Sequence, residues 1–282
     1  MAMLTNWPLR TTSIFASIFP SGLRNNQVWH LHLGGAAVQR CDNRPGAKEN
    51  PLTLKFPILL LFLLAAAPRA LADDLSRHSI RCDQRDMEYV VYLPPDAKGP
   101  LPVLVLLHGA GDQAEHFAQA WRSKARKKQI VLIAPQLPRD RTLEAHIPKI
   151  LPCLVGSVGN QANLDSHRIY LFGYSMGGYL AYDGALLDSD YFAAAAIHAM
   201  GIDDDYASIV EKATRKIPLS ISIGDHDQMV SLAQVRKTRD LLRKAGFHVE
   251  YKEIFDHSHN YYEISDTIND DVWHFLEGNR LP

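Results

Sequence analysis

Several things are scarce in this chain of 282 residues, and each scarcity closes off a class of function. Charge of one sign is the first: 30 Lys+Arg stand against 31 Asp+Glu. A balance so near neutral gives no reason to expect nucleic acid or another polyanion as a partner. Cysteine is the second, with only three, at Cys41, Cys82 and Cys153. None sits in C-x-x-C or beside a histidine at metal-ligand spacing, which argues against zinc and thiol redox chemistry. Long apolar runs are the third. The run Pro57–Ala67 falls well short of the roughly 20 residues that span a bilayer, so no membrane span is expected.

That short run is informative in another way. Lys55 precedes it, and Pro68-Arg69-Ala70-Leu71-Ala72 follows it, ending in A-x-A before Asp73-Asp74. A positive residue, a brief apolar core and a small-residue cleavage site make a secretory signal peptide at residues 55–72. A buried apolar helix or an anchor is the alternative. Signal peptides open a chain, so residues 1–54, which lack periodicity, are expected to be a non-native or disordered upstream extension, with initiation near Leu52 or Leu54. Cleavage near Ala72 would leave a secreted or periplasmic domain, 73–282, of 210 residues (282 minus 72). A domain of that size buries about 70% of its unfolded surface. Cys41 would be lost, and the remaining pair, Cys82 and Cys153, invites a disulfide in an oxidising compartment.

Beyond the leader, strands and helices alternate. Arg77–Leu93 reads as two strands around a turn at Asp83–Asp86. Pro102–Leu107 and Ile130–Ala134 are continuous apolar runs, as in strands covered on both faces. Gln113–Gln129 between them reads as a helix whose basic end suits its C-terminus. Pro135–Ser166, with Pro138, Pro148, Pro152, Gly156 and Gly159, reads as a long irregular connection that shapes a cleft. Phe192–His198 and Ile217–Ile223 are further strands. Asp203-Asp204-Asp205 marks a helix start rather than a metal site. A helix from about Ser231 to Ala245, a strand at His248–Phe255 and an amphipathic helix over Tyr261–Leu276 complete the pattern.

At the centre of this alternation stands Ile169-Tyr170-Leu171-Phe172-Gly173-Tyr174-Ser175-Met176-Gly177-Gly178. Apolar residues run into G-x-S-x-G and on into a helix-compatible stretch, the form of a nucleophile elbow. Gly173 and Gly177 are needed where a Cβ would strike crossing backbone. Ser175 would then sit at the turn's tip, with the N–H of Met176 aimed at a developing oxyanion. Small residues after an earlier strand, His108-Gly109-Ala110-Gly111-Asp112, offer the N–H of Ala110 as a second donor. His108 reads as a loop anchor near the pocket, because it precedes the nucleophile. His198, at a strand's C-terminal end, is a candidate pocket residue.

These motifs, with Gly224-Asp225-His226-Asp227 and the His257/His259 loop, give the order Ser…Asp…His of α/β-hydrolases. Residues 75–282 resemble an α/β-hydrolase of the carboxylesterase and poly(3-hydroxybutyrate) depolymerase-like group. The resemblance implies a mostly parallel central sheet with helices on both faces, and hydrolysis of a small-molecule or polymeric ester by a serine esterase. It implies Asp227 as the acid, with Asp225 as competitor. The base is His259 or His257. The run His259-Asn260-Tyr261-Tyr262 is similar to the His-x-Tyr-Tyr run of S-formylglutathione hydrolases, which favours His259. Asp256-His257-Ser258 keeps the alternative open. No metal or organic cofactor is called for. A peptidase or thioesterase of the same fold, or a hydrolase-like binding protein without activity, are the other readings.

Overall fold

A strand that is apolar at every position needs cover on both faces, and the computed structural model shows how this chain supplies it. The structure describes residues 75–282 apart from Asp96, Asp140 and Arg141. The expected upstream extension and the expected signal peptide, residues 1–54 and 55–72, lie outside the described residues. Eight strands form one sheet: β1 (Ser76–Cys82), β2 (Arg85–Tyr92), β3 (Leu101–Leu107), β4 (Val131–Pro135), β5 (Leu164–Tyr174), β6 (Ala194–His198), β7 (Leu219–Gly224) and β8 (Val249–Ile254). Their order is β1-β2-β4-β3-β5-β6-β7-β8. β2 runs antiparallel to both of its neighbours, and β3 through β8 are mutually parallel.

Among the described residues six α-helices cover the sheet: α1 (Ala114–Lys128), α2 (Ile147–Val158), α3 (Met176–Leu187), α4 (Ala207–Lys212), α5 (Leu232–Lys244) and α6 (Ser265–Glu277). The strands divide their side chains between two cores, as period-2 alternation requires. Leu104, Leu106, Leu132, Tyr170 and Phe172 pack with Phe117 and Trp121 of α1 and Val272, Trp273 and Leu276 of α6. Val103, Val105, Ile133, Leu171 and Ile197 pack with α2, α3 and α5 on the other side. Both layers are helical, so the architecture is the α/β-hydrolase sandwich that the motifs imply. The aspartate triplet leads into a short 3-10 turn, Asp204–Tyr206, and then α4. Among the described residues no helix is long and apolar enough to cross a membrane.

One expectation needs correction. Within Pro135–Ser166, read as irregular, lies α2. It carries Pro148 in its first turn, where the missing N–H costs nothing, and Pro152 in its interior. Ile147, Ile150, Leu151, Leu154, Val155 and Val158 are all buried, at the i, i+3, i+4, i+7 spacing of one helix face. Burial of that stripe outweighs the local cost of Pro152.

Cys153 of α2 is disulfide-bonded to Cys82 at the end of β1, with Cα atoms 6.0 Å apart and a sequence separation of 71. The bond thus ties the sheet's outermost strand to a helix rather than to a loop. For a loop of this length the chain-entropy account gives roughly 4 kcal/mol of stabilisation, as an upper figure. Alkylation of unreduced protein is expected to leave Cys82 and Cys153 unlabelled, and reductant is expected to lower the denaturation midpoint. Labelling of both thiols without reductant would contradict the bond.

Candidate active site

The elbow forms because β5 must turn into α3 with no intervening loop. Ser175 takes φ 53° and ψ −122°, a region that costs a residue with a side chain on the order of 1–3 kcal/mol and persists only where its surroundings enforce it. They do so here. A Cβ on Gly173 would lie 2.3 Å from the Gly177 carbonyl oxygen, and one on Gly177 only 1.9 Å from that of Leu107. The Ser175 N–H donates to the His198 carbonyl at 3.0 Å, and its carbonyl accepts from the Gly178 N–H at 2.8 Å. Ser175 is half-buried at the C-terminal edge of the sheet. Met176 is the first residue of α3, so its N–H has no partner within the helix.

Two neighbouring strands bring the other groups to the same edge. β7 ends at Gly224, where a Cβ would stand 2.1 Å from the His257 carbonyl oxygen, so the acid and histidine loops meet closely. Asp227 Oδ1 accepts the N–H groups of Met229 and Val230, each at 2.8 Å. Its other oxygen, Oδ2, lies 2.8 Å from His259 Nδ1, and His259 Nε2 lies 3.0 Å from Ser175 Oγ. Burial pushes the Asp227 carboxyl up, but the hydrogen bonds from His259 and the two N–H groups outweigh it and hold the acid below its ordinary range. The side chain of Asp227 is wholly buried and that of His259 is 18% exposed. An ionised acid thus fixes the imidazole so that its second nitrogen faces the hydroxyl.

Asp225 does not join this line; its Oδ1 accepts the His257 N–H at 3.4 Å. Nor does His257, which is 4% exposed and whose Nδ1 lies 3.9 Å from Glu263. His108 and His198, expected beside the pocket, are both wholly buried and line no open surface. His108 Nε2 accepts the Leu137 N–H at 3.0 Å, which puts the proton on Nδ1, 2.8 Å from the Gly109 carbonyl. It therefore fastens the loop after β3 to the end of β4. His198 Nδ1 lies 2.9 Å from Ser222 Oγ, linking β6 to β7. Burial, together with the neighbouring His257 and His259, drives its pKa down to about 3, so it is neutral.

The glycine loop passes over the serine. A Cβ on Gly109 would stand 3.5 Å from Ser175 Cβ and 3.1 Å from the Tyr174 ring. Ala110, next along, is exposed. The sequence gives Tyr174 no distinct signal, since the middle position of G-x-S carries no fixed role. Its hydroxyl donates to the His259 carbonyl at 2.9 Å, and burial pushes its pKa up to about 12. Among the described residues no group of three or more His, Cys, Asp or Glu could hold a metal ion.

The model of the dienelactone hydrolase family matches residues 115–271, a span that contains Ser175, Asp227 and His259. No curated protein matches by sequence. Solved structures similar in fold include a thermostable esterase at 20% identity and a TM-score of 0.61, with 74% of this chain covered. This chain spans only 64% of that esterase. An S-formylglutathione hydrolase from Staphylococcus aureus is 17% identical with a TM-score of 0.59, covering 72% of this chain and 96% of its own. A ferulic acid esterase is 15% identical with a TM-score of 0.58, covering 72% and 98%. At such identities the likeness speaks for the fold, while the family match reaches over more than half of the sequence. The chain belongs to the dienelactone hydrolase family, within the α/β-hydrolase superfamily.

Proposed function

We propose that this protein is a serine hydrolase that cleaves carboxylic esters through an acyl-enzyme on Ser175. The observation that carries the reading is the unbroken line from Asp227 through His259 to Ser175, with contacts of 2.8 and 3.0 Å. His259 Nε2 takes the hydroxyl proton as Ser175 Oγ attacks the ester carbonyl carbon. Asp227 stabilises the imidazolium and keeps it oriented. The carbonyl oxygen, now anionic, is held by the N–H of Met176 and by that of Ala110. Each such donor is worth about 2.7–4 kcal/mol in the transition state. His259 returns the proton to the departing alcohol, and water, activated by the same histidine, releases the acid.

Ester chemistry is favoured by the family and by neighbours named as a thermostable esterase, an S-formylglutathione hydrolase and a ferulic acid esterase. That variety supports an ester bond rather than any one acyl or alcohol group. Export is part of the proposal: the A-x-A stretch before Asp73 and the Cys82–Cys153 bond both suit an oxidising compartment. An N-terminal sequence beginning near Asp73 is expected of exported protein, and peptides containing Trp7 or Trp29 would contradict it.

A fluorophosphonate probe is expected to add to Ser175, as read by peptide mapping. Side-by-side assay on p-nitrophenyl esters of graded chain length, acyl-thioesters and peptides is expected to give the highest kcat/KM on an ester. A wild-type protein that neither labels nor turns over any of these would instead be a binding protein of hydrolase shape.

A further inference from the structure

The oxyanion loop and the segment that follows the base are joined by residues 150 apart in sequence: the Tyr262 hydroxyl donates to Asp112 Oδ2. We infer that Asp112 and Tyr262 form a strut that sets the position of the oxyanion donors relative to His259, and so act as positioning residues. The inference rests on the proposed acyl transfer at Ser175.

Each end of the strut is anchored to the scaffold. Asp112 closes the glycine turn, its N–H donating to the Gly109 carbonyl at 3.2 Å. Its Oδ1 accepts the Gln113 N–H at 2.8 Å and lies 2.9 Å from His116 Nδ1. Its carbonyl accepts from Gln136 Nε2 at 3.3 Å. The side chain is 17% exposed. Burial raises the carboxyl's pKa, but the bonds from Tyr262, His116 and the Gln113 N–H prevail and keep it ionised. A hydroxyl donating to a carboxylate is among the stronger hydrogen bonds a protein makes.

Tyr262 stands three residues after His259. Its N–H donates to Asn260 Oδ1 at 3.2 Å, and its ring stacks on His116 at 4.2 Å between centroids. Tyr174 closes the circuit from the other side. Its hydroxyl holds the His259 carbonyl, its ring lies under Gly109, and Tyr262 meets it edge-on at 6.5 Å. His108 and Gln136 hold the two ends of the glycine loop, while Ala110 and Gly111 between them are exposed and small, so the donor-bearing middle has few side-chain contacts of its own. A strut from the base loop ties that loop directly to the segment that carries His259. Because its hydroxyl is engaged by Asp112, Tyr262 acts on the geometry of the reaction rather than on substrate affinity.

The test is steady-state kinetics on the best ester, with fluorophosphonate labelling rates beside it. Tyr262→Phe, which keeps the ring and the stacking, is expected to lower kcat by roughly tenfold to a hundredfold, the scale of small misplacements at a reacting centre. KM should stay near the wild-type value, and the labelling rate should fall by a similar factor. Asp112→Ala should match it, and Asp112→Asn, which retains an acceptor oxygen, should recover part of the loss. Unchanged kcat in folded Tyr262→Phe would overturn the inference, as would a loss carried by KM, which would make Tyr262 a substrate contact. Failure of the proposed chemistry reads differently, as wild-type protein that does not label at Ser175, and it removes this inference too.

Discussion

Ser175→Ala is expected to abolish ester hydrolysis and to leave the thermal midpoint nearly unchanged. The size of the loss follows from the geometry. Ser175 Oγ is the atom His259 Nε2 faces at 3.0 Å, and when a nucleophile of such a triad is removed the remaining members do not act alone. Losses on the order of a millionfold in kcat are the scale for this kind of deletion. Stability should respond little, for two reasons. The Ser175 N–H and carbonyl bonds to His198 and Gly178 belong to the backbone and survive the change. The positive φ of 53° is enforced by crossing main chain at Gly173 and Gly177, and alanine bears it at about the same cost as serine. Circular dichroism melts and turnover by the same preparation check both halves. Turnover well above the level of a disabled triad would put the nucleophile elsewhere.

The elements that carry this site were legible in the sequence because their signals are local. Phe172-Gly173-Tyr174-Ser175-Met176-Gly177 contains both the strand and the glycines its turn requires, and β3 and β4 announce themselves as unbroken apolar runs. Helix α2 was obscured because its signals conflict. Pro148, Pro152 and Gly156 speak for a loop, while the stripe from Ile147 to Val158 speaks for a helix. Local propensity cannot weigh a proline's cost against burial that depends on the sheet beneath. His108 is the loop anchor that its position suggests, but neither it nor His198 reaches the surface of the pocket edge. Strand-end position fixes where the backbone emerges, not whether a loop closes over the side chain. The Asp112–Tyr262 contact was out of reach entirely, since it joins residues that only the finished topology brings together.

The choice between two histidines is the case where position in the sequence decides least and geometry most, and it yields the second large effect. His259→Ala is expected to lose nearly as much rate as Ser175→Ala, because it removes the group that touches both Asp227 at 2.8 Å and Ser175 at 3.0 Å. His257→Ala is expected to keep most of kcat. The His257 ring lies 5.8 Å from that of His198, and among the described residues its buried Nε2 has no hydrogen-bond partner and its side chain makes no hydrogen bond or ion pair with Ser175 or Asp227. What His257 does for the loop runs through its backbone, whose carbonyl accepts the His226 N–H at 3.0 Å and which alanine preserves. Truncating a buried ring still leaves a gap, so the cost should appear as a stability loss of roughly 1–3 kcal/mol rather than as lost chemistry. Rates normalised to folded protein, with denaturation midpoints measured alongside, separate the two outcomes. If His257→Ala falls to the level of Ser175→Ala while His259→Ala keeps its turnover, then the base is His257 and the loop rearranges before substrate is cleaved.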